Sequence, residues 1–178
     1  MGVVNKNESY TLAEIQGKLG VEQHRLIHLC EKGVIIPDYE DASGRGTMRR
    51  FSERNLFEFA LAMELRRFLL PVAYISPIIQ TLRVFETYAT KELDVFSLPE
   101  SLQNKSSISL KIIITEGRHL YFALTHRRET AYIGPLDLSK ASGFKHALEK
   151  AESHPKDPTL SATSRFEVDL NKVAQSIK

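Results

Sequence analysis

The sequence holds a single cysteine, Cys30, so no disulfide forms within one chain and nothing points to an oxidising compartment. No apolar run approaches the ~18 residues that a membrane-spanning helix needs. The first nine residues, Met1 to Ser9, are polar and carry no apolar h-region, so no secretory signal is read there. A cytoplasmic protein with no membrane partner is the expectation. The motifs that announce common chemistries are missing as well. There is no glycine-rich phosphate loop, no G-x-S-x-G, no H-E-x-x-H and no cysteine cluster. Catalysis therefore has no positive support in the sequence, and no cofactor is implied. Internal repeats and low-complexity tracts are absent too.

What is present is an ordinary globular composition. The 178 residues are 42% hydrophobic and 26% charged, enough chain for one large or two small domains with a proper core. The net charge of +2 names no partner, and the first 89 residues are neutral, with 11 Lys and Arg against 11 Asp and Glu. Placement matters more than balance. Arg45, Arg49, Arg50 and Arg54 fall within ten residues, with Glu53 the only acid among them. Such clustering is what phosphate binding requires, although the same arginines would also suit a solvated turn.

The stretch 10–70 carries the strongest local signals. Thr11 is an N-cap with Glu14 three residues on, a capping box. Leu12, Ile15 and Leu19 share a helical face, and Gly20 stops the helix. A second helix is expected from near Glu22 to Gly33. Leu26, Leu29 and Cys30 point inward there, with Val21 anchoring the turn. His24, His28 and Glu31 point outward, flanked by Arg25 and Lys32 on one side and Ile27 on the other. Val34 to Ile36 form a β-branched run closed by Pro37. Ser43 to Gly46 read as a hairpin tip or flexible loop, with Met48 to Phe51 returning as a strand. Ser52 then caps a third helix, Glu53 to Leu70. That helix is apolar nearly all round, with a narrow polar stripe of Glu58, Glu64, Arg66 and Arg67, so it must be covered on several sides.

Physically this is the layout of a winged helix-turn-helix. The ordered set Leu12-Ala13-Glu14-Ile15, Gly20-Val21, Gly33-Val34-Ile35 and Pro37, then Arg49-Arg50-Phe51-Ser52-Glu53 with Asn55 and Leu56 entering a helix, resembles the DNA-binding domain of the MerR family of bacterial transcription regulators. The resemblance covers about residues 10–85. It implies that the helix from Glu22 to Lys32 lies in the major groove of double-stranded DNA, and that Arg45, Arg49 and Arg50 form a wing on the phosphates. Thr11, Gln23, His24, Arg25, His28 and Arg54 complete the set of expected DNA-binding residues. The sequence departs from the family pattern at Glu22, where a capping Ser or Thr is usual. Ile27-His28-Leu29-Cys30 stands in place of R-Y-Y-E, and Met48 in place of a wing tyrosine.

Beyond the third helix, Pro71 is a stop, and Ser76 with Pro77 reads as the cap and first residue of a connecting helix over 76–97. Its stripe is Ile78, Ile79, Leu82, Phe85 and Glu86. The resembled family has a long dimerisation helix here, but no sustained heptad pattern continues. Residues 98–107 read as a polar linker. From Ile108 the period changes to two. Ile108, Leu110, Ile112 and Ile114 form one strand face, Leu120, Phe122 and Leu124 the next, then Ala131 and Ile133, with Gly134-Pro135 as a stop. Lys111, Ile113, Tyr121, Ala123 and Tyr132 are the expected exposed face. A helix over 142–152 built on Phe144, Ala147, Leu148 and Ala151, a loop over 154–158, a strand over 165–168 and a last helix capped by Asp169 complete the chain.

The expected fold class is thus α+β: an N-terminal winged helix-turn-helix over 10–75 and a C-terminal antiparallel sheet with packed helices over 108–178, for dimerisation, effector sensing or both. A homodimer on a pseudo-palindrome is expected, with an unidentified small-molecule effector as a further partner. His24 and His28 lie at metal-ligand spacing, but no third ligand is near in sequence, so no metal is expected. The competing readings are an architectural, excisionase-like or protein-interaction module, and, on the unassigned C-terminal part alone, an enzyme.

Overall fold

The computed structural model describes residues 9–39, 49–93, 96–103, 107–140 and 144–178, without the side chains of residues 91, 92, 144 and 145. The expected hairpin tip, with Arg45 and Met48, lies outside the described residues.

The described elements are α1 (Leu12–Leu19), α2 (Gln23–Glu31), α3 (Glu53–Arg67), α4 (Val72–Glu92), α5 (Glu100–Gln103), β1 (Ile108–Thr115), β2 (His119–His126), β3 (Glu129–Asp137), α6 (Phe144–Glu149), β4 (Ser153–His154), β5 (Arg165–Asp169) and α7 (Leu170–Ser176). The fold class is α+β. The five strands form one antiparallel sheet in the order β4-β3-β2-β1-β5.

The helix ends follow local chemistry. Thr11 and Glu14 make the reciprocal capping box of α1, and Gly20 closes it with φ 62°. Glu22 precedes α2 but its side chain caps nothing, as expected of a long acidic side chain at a position that favours Ser, Thr, Asp or Asn. Ser52 and Asn55 make a second box at α3. Asp169 accepts from the backbone N–H groups of Asn171 and Lys172 to start α7.

α3 stops at Arg67, not Leu70. Leu69 adopts φ 61°, its N–H reaching the Arg66 carbonyl while that of Leu70 reaches Leu65. This is a Schellman closure with leucine where glycine is usual. The next helix begins earlier than the Ser76-Pro77 signal indicated. Pro71 is its N-cap, and Pro77 lies inside α4. The missing Pro77 N–H leaves the Ala73 carbonyl on an exposed turn, where water can satisfy it, and burial of Ile75 holds that first turn in place.

The stretch 98–107 is not simply a polar linker. It contains α5, whose Leu102 is fully buried against α7 and β1. β3 runs through Gly134-Pro135 to Asp137. A register shift beside Tyr121 absorbs the proline, and the Tyr121 ring lies where a Gly134 side chain would stand. Ser153 and His154, the latter expected to open a loop, pair with Ile133 and Tyr132 as β4. Of the expected Met48–Phe51 return, Arg49 to Phe51 are described, and there Phe51 forms a single antiparallel bridge with Tyr10.

One sheet face, carrying Leu110, Ile112, Phe122, Leu124, Ile133 and Val168, is covered by helices. Phe85 of α4 stacks on Phe122 of β2 with centroids 4.3 Å apart. α3, α5 and α7 pack together at the β1 side, and α6 packs on α4 and β3. A single apolar cluster runs from Ile15 and Leu26 through Phe57 and Phe85 to Ala174. α3 is covered as its composition demands. On the other sheet face Ile113 and Ala123 are buried, contrary to expectation. Ile113 sits between Tyr121 and Glu167, and Ala123 between Lys111 and Tyr132, so longer neighbours roof over them. Ala147 of α6, expected to face inward, is exposed.

Candidate nucleic-acid interface

Burial of Leu26 and Leu29 in the core that holds Ile15 fixes the rotation of α2. With that face inward, the helical period turns Gln23, His24, Arg25 and His28 outward, and all four are exposed. His24 lies 3.6 Å from Glu22, a solvent-exposed contact. Cys30 is half-buried at the edge of the inward face. Among the described residues no group of three or more His, Cys, Asp or Glu is placed to hold a metal. The face therefore offers an amide, a guanidinium and two imidazoles, the donors and acceptors that can meet base edges or phosphates.

The Tyr10–Phe51 bridge carries Arg50 to the N-terminal end of α1. There the Thr11 backbone N–H and hydroxyl hold the Glu14 carboxyl below its ordinary range, and the positive charge of Arg50 adds to the effect. Arg50 is exposed and Arg49 half-buried, so the two neighbours point differently. Thr11 is occupied by its cap, its N–H 2.6 Å from the Glu14 carboxylate.

Arg54 does not join this group. It turns to Glu86 of α4, 2.9 Å away, and Glu86 also accepts the Leu98 N–H at 2.8 Å. Arg54 thus belongs to the seam between α3 and α4.

A second polar constellation lies behind this face. Asn55 donates to the Ile36 carbonyl at 2.9 Å and to Glu58 at 3.0 Å, and accepts from the Asp38 N–H at 2.8 Å. Arg83 of α4 reaches Glu58, Asp38 and the Ile36 carbonyl together. Burial pushes the Glu58 carboxyl above its ordinary range, with Arg83 and Asn55 pulling the other way. This network anchors residues 36–38, the entry to the arginine-bearing segment, onto both α3 and α4. Sequence reasoning placed Glu58 on a polar stripe. Its partner stands 25 residues away, and only the crossing of α3 and α4 brings the two together.

Among the described residues no helix is long and apolar enough to cross a membrane. No protein-family model matches the chain, and no curated protein matches it.

Proposed function

We propose that the chain is a MerR-like bacterial transcription regulator, built on a winged helix-turn-helix that binds double-stranded DNA as a homodimer. The supporting observation is the outward face of α2. Gln23, His24, Arg25 and His28 stand exposed on a helix whose other side is locked into the core, with exposed Arg50 on the segment that follows. In this reading Gln23, Arg25 and the imidazoles meet base edges or adjacent phosphates. Arg50, Arg49 and Arg45 hold the backbone and fix register. The sheet half supplies dimerisation, effector sensing or both, and no catalytic step is assigned.

The test is genomic DNA selection with the purified protein, paired with a salt titration. A symmetric site with half-sites one or two helical turns apart, and affinity that falls steeply with added salt, is the expected result. No enrichment, with salt-insensitive binding, would sink the reading.

A specific observation favours an interaction module as the second reading. Ile27 on α2 and Ile36 just beyond it are exposed, at 36% and 55%, beside the same polar face. Apolar side chains there suit a protein partner, and such docking would weaken little with salt.

A further inference from the structure

Behind α1 and α3, and facing β1, β5 and α7, lies a cleft of about 550 Å³. That is within the range of small-molecule sites. Leu19, Val21 and Met63 give it an apolar wall. Lys18, Arg67, Lys111 and Lys172 bring four cations to it, against the three carboxylates of Glu64, Glu167 and Asp169.

The carboxylates are all committed. Glu64 accepts from Arg67 at 2.9 Å. Glu167 accepts from Lys111 at 2.7 Å and from Arg165 at 2.8 Å. Asp169 accepts the backbone N–H groups of Asn171 and Lys172 at 3.0 and 3.2 Å. With Arg67 paired to Glu64 and Lys111 to Glu167, Lys18 and Lys172 stand against the one remaining carboxylate charge of Asp169, a surplus of one, and neither lysine has a carboxylate within 4.0 Å among the described residues. Among the described residues Lys18 has only the Tyr10 ring, 5.4 Å from its ammonium to the centroid. The two lysines come from different parts of the chain, one from the last turn of α1 and one from the first turn of α7.

We propose that this cleft binds a small amphipathic organic anion, an aromatic or aliphatic carboxylate or sulfonate. Its charged group pairs with Lys18 and Lys172, and its apolar body rests on Leu19, Val21 and Met63. Apolar burial supplies the attraction, and the two uncommitted cations select the sign of the ligand. A cation of the same shape is repelled. The occupant touches α1 and α7 together, so it binds across the helices of the α2 side and the sheet side. The inference is independent of whether α2 binds DNA.

The probe is anilinonaphthalene sulfonate, an aromatic anion whose emission rises and shifts to the blue in apolar surroundings, titrated into the full chain without DNA. One saturable site is expected. The Lys18→Glu, Lys172→Glu double variant weakens it about tenfold, the loss expected when two partly screened attractions become repulsions. Lys172→Gln, a change at an exposed side chain, weakens it by a smaller factor and covers the case of a double variant that does not fold. Leu69→Glu is the control, because Leu69 lines a separate apolar groove of about 320 Å³ beside Tyr74, Ile114 and Phe166. Binding that is absent, that ignores the lysine changes, or that disappears with Leu69→Glu overturns the assignment.

Discussion

Glu58 of α3 and Arg83 of α4 meet through two bonds, Oε1 to Nε at 2.5 Å and Oε2 to Nη2 at 2.6 Å, with the Glu58 side chain only 2% exposed. Removing one partner of such a pair leaves the other buried and unmatched. Arg83→Met should therefore cost about 3 kcal/mol at neutral pH, a fall in Tm of roughly 10 °C for a chain of this length. The loss depends on pH in a definite direction. Burial raises the Glu58 pKa in the folded chain, so the folded state holds that proton more tightly than the unfolded one. This contribution is fully present below the unfolded pKa, about 4.3, and is lost as pH climbs through the raised folded value. Without Arg83 the folded pKa rises further, and the variant loses more than the parent as pH increases. Melting curves from about pH 4 to about pH 7 check this, since the ordinary carboxylate range lies at the lower end. Equal losses at both ends would rule out Glu58 as the group left stranded, and pairing Arg83→Met with Glu58→Gln should recover much of the neutral-pH loss.

That pair also shows where reading the sequence reaches its limit. Thr11 with Glu14, Ser52 and Asp169 were legible as caps because a cap acts over three or four residues. The alternation at Ile112 and Phe122 marked the strands because burial on one face imposes it. Ser76-Pro77 misled, because proline one residue into a helix and proline one turn further in leave the same local signature. Burial of Ile75, a tertiary event, decided between them. β4 rests wholly on the edge that β3 offers, and two residues carry no period of their own. Ile113 and Ala123 looked outward by period and are outward in direction. Their cross-strand neighbours bury them. Of the candidate interface, the outward face of α2 was legible from its inward leucines, but the diversion of Arg54 to Glu86 was not.

Phe85 and Phe122 join the α4 helix to the sheet by a stack with rings 21° from parallel. Both are fully buried in a core that continues from Ile15 to Ile177. Phe122→Ala should cost about 3–5 kcal/mol. Because the apolar cluster is continuous, the expected outcome is one cooperative transition at a lower temperature. Backbone amide signals of α1, α2 and α3 report the helical half, and those of β1, β2 and β3 report the sheet. Coincident curves support a shared core, and two separated transitions would show that the halves fold independently.

Arg50 and Arg25 separate the two roles in the proposed DNA complex. Both are exposed, and among the described residues neither makes an ion pair. Arg50→Ala should weaken binding to all sequences alike and lower the salt slope by about one. Arg25→Ala should change which bases are preferred, at about 1–3 kcal/mol for the position it reads. Competition binding against randomised half-sites distinguishes the two. Equal, sequence-independent losses would remove α2 from the role of reading helix.

Leu69 occupies the left-handed position that ends α3, at φ 61°, and is 87% exposed. A leucine there carries the left-handed penalty of about 1–2 kcal/mol and buries little in return. Leu69→Gly should raise stability by about 1 kcal/mol, the penalty less the added freedom of glycine in the unfolded chain. A lower Tm would mean that Leu69 contributes packing along the groove beside Tyr74.

Arg127 and Arg128 alone connect His126 to Glu129, which pair across the β2–β3 hairpin, and both have positive φ, 49° and 72°. Two consecutive left-handed residues are the mark of a type I′ turn, whose twist matches the strands and which favours Asn-Gly. Neither arginine makes a side-chain hydrogen bond or ion pair among the described residues, and both are exposed, so replacing them sacrifices no contact seen there. Arg127→Asn with Arg128→Gly should therefore stabilise the fold by about 1–2 kcal/mol, a rise in Tm of roughly 2–8 °C. Two adjacent guanidinium groups on a strained turn also repel each other, which adds to the expected gain and makes it larger at low salt. A stabilised variant that binds DNA as before would mean the arginines serve nothing in that complex. A stabilised variant with weaker DNA binding would mean that the strain at this turn is kept for the sake of two cations at the tip of the sheet.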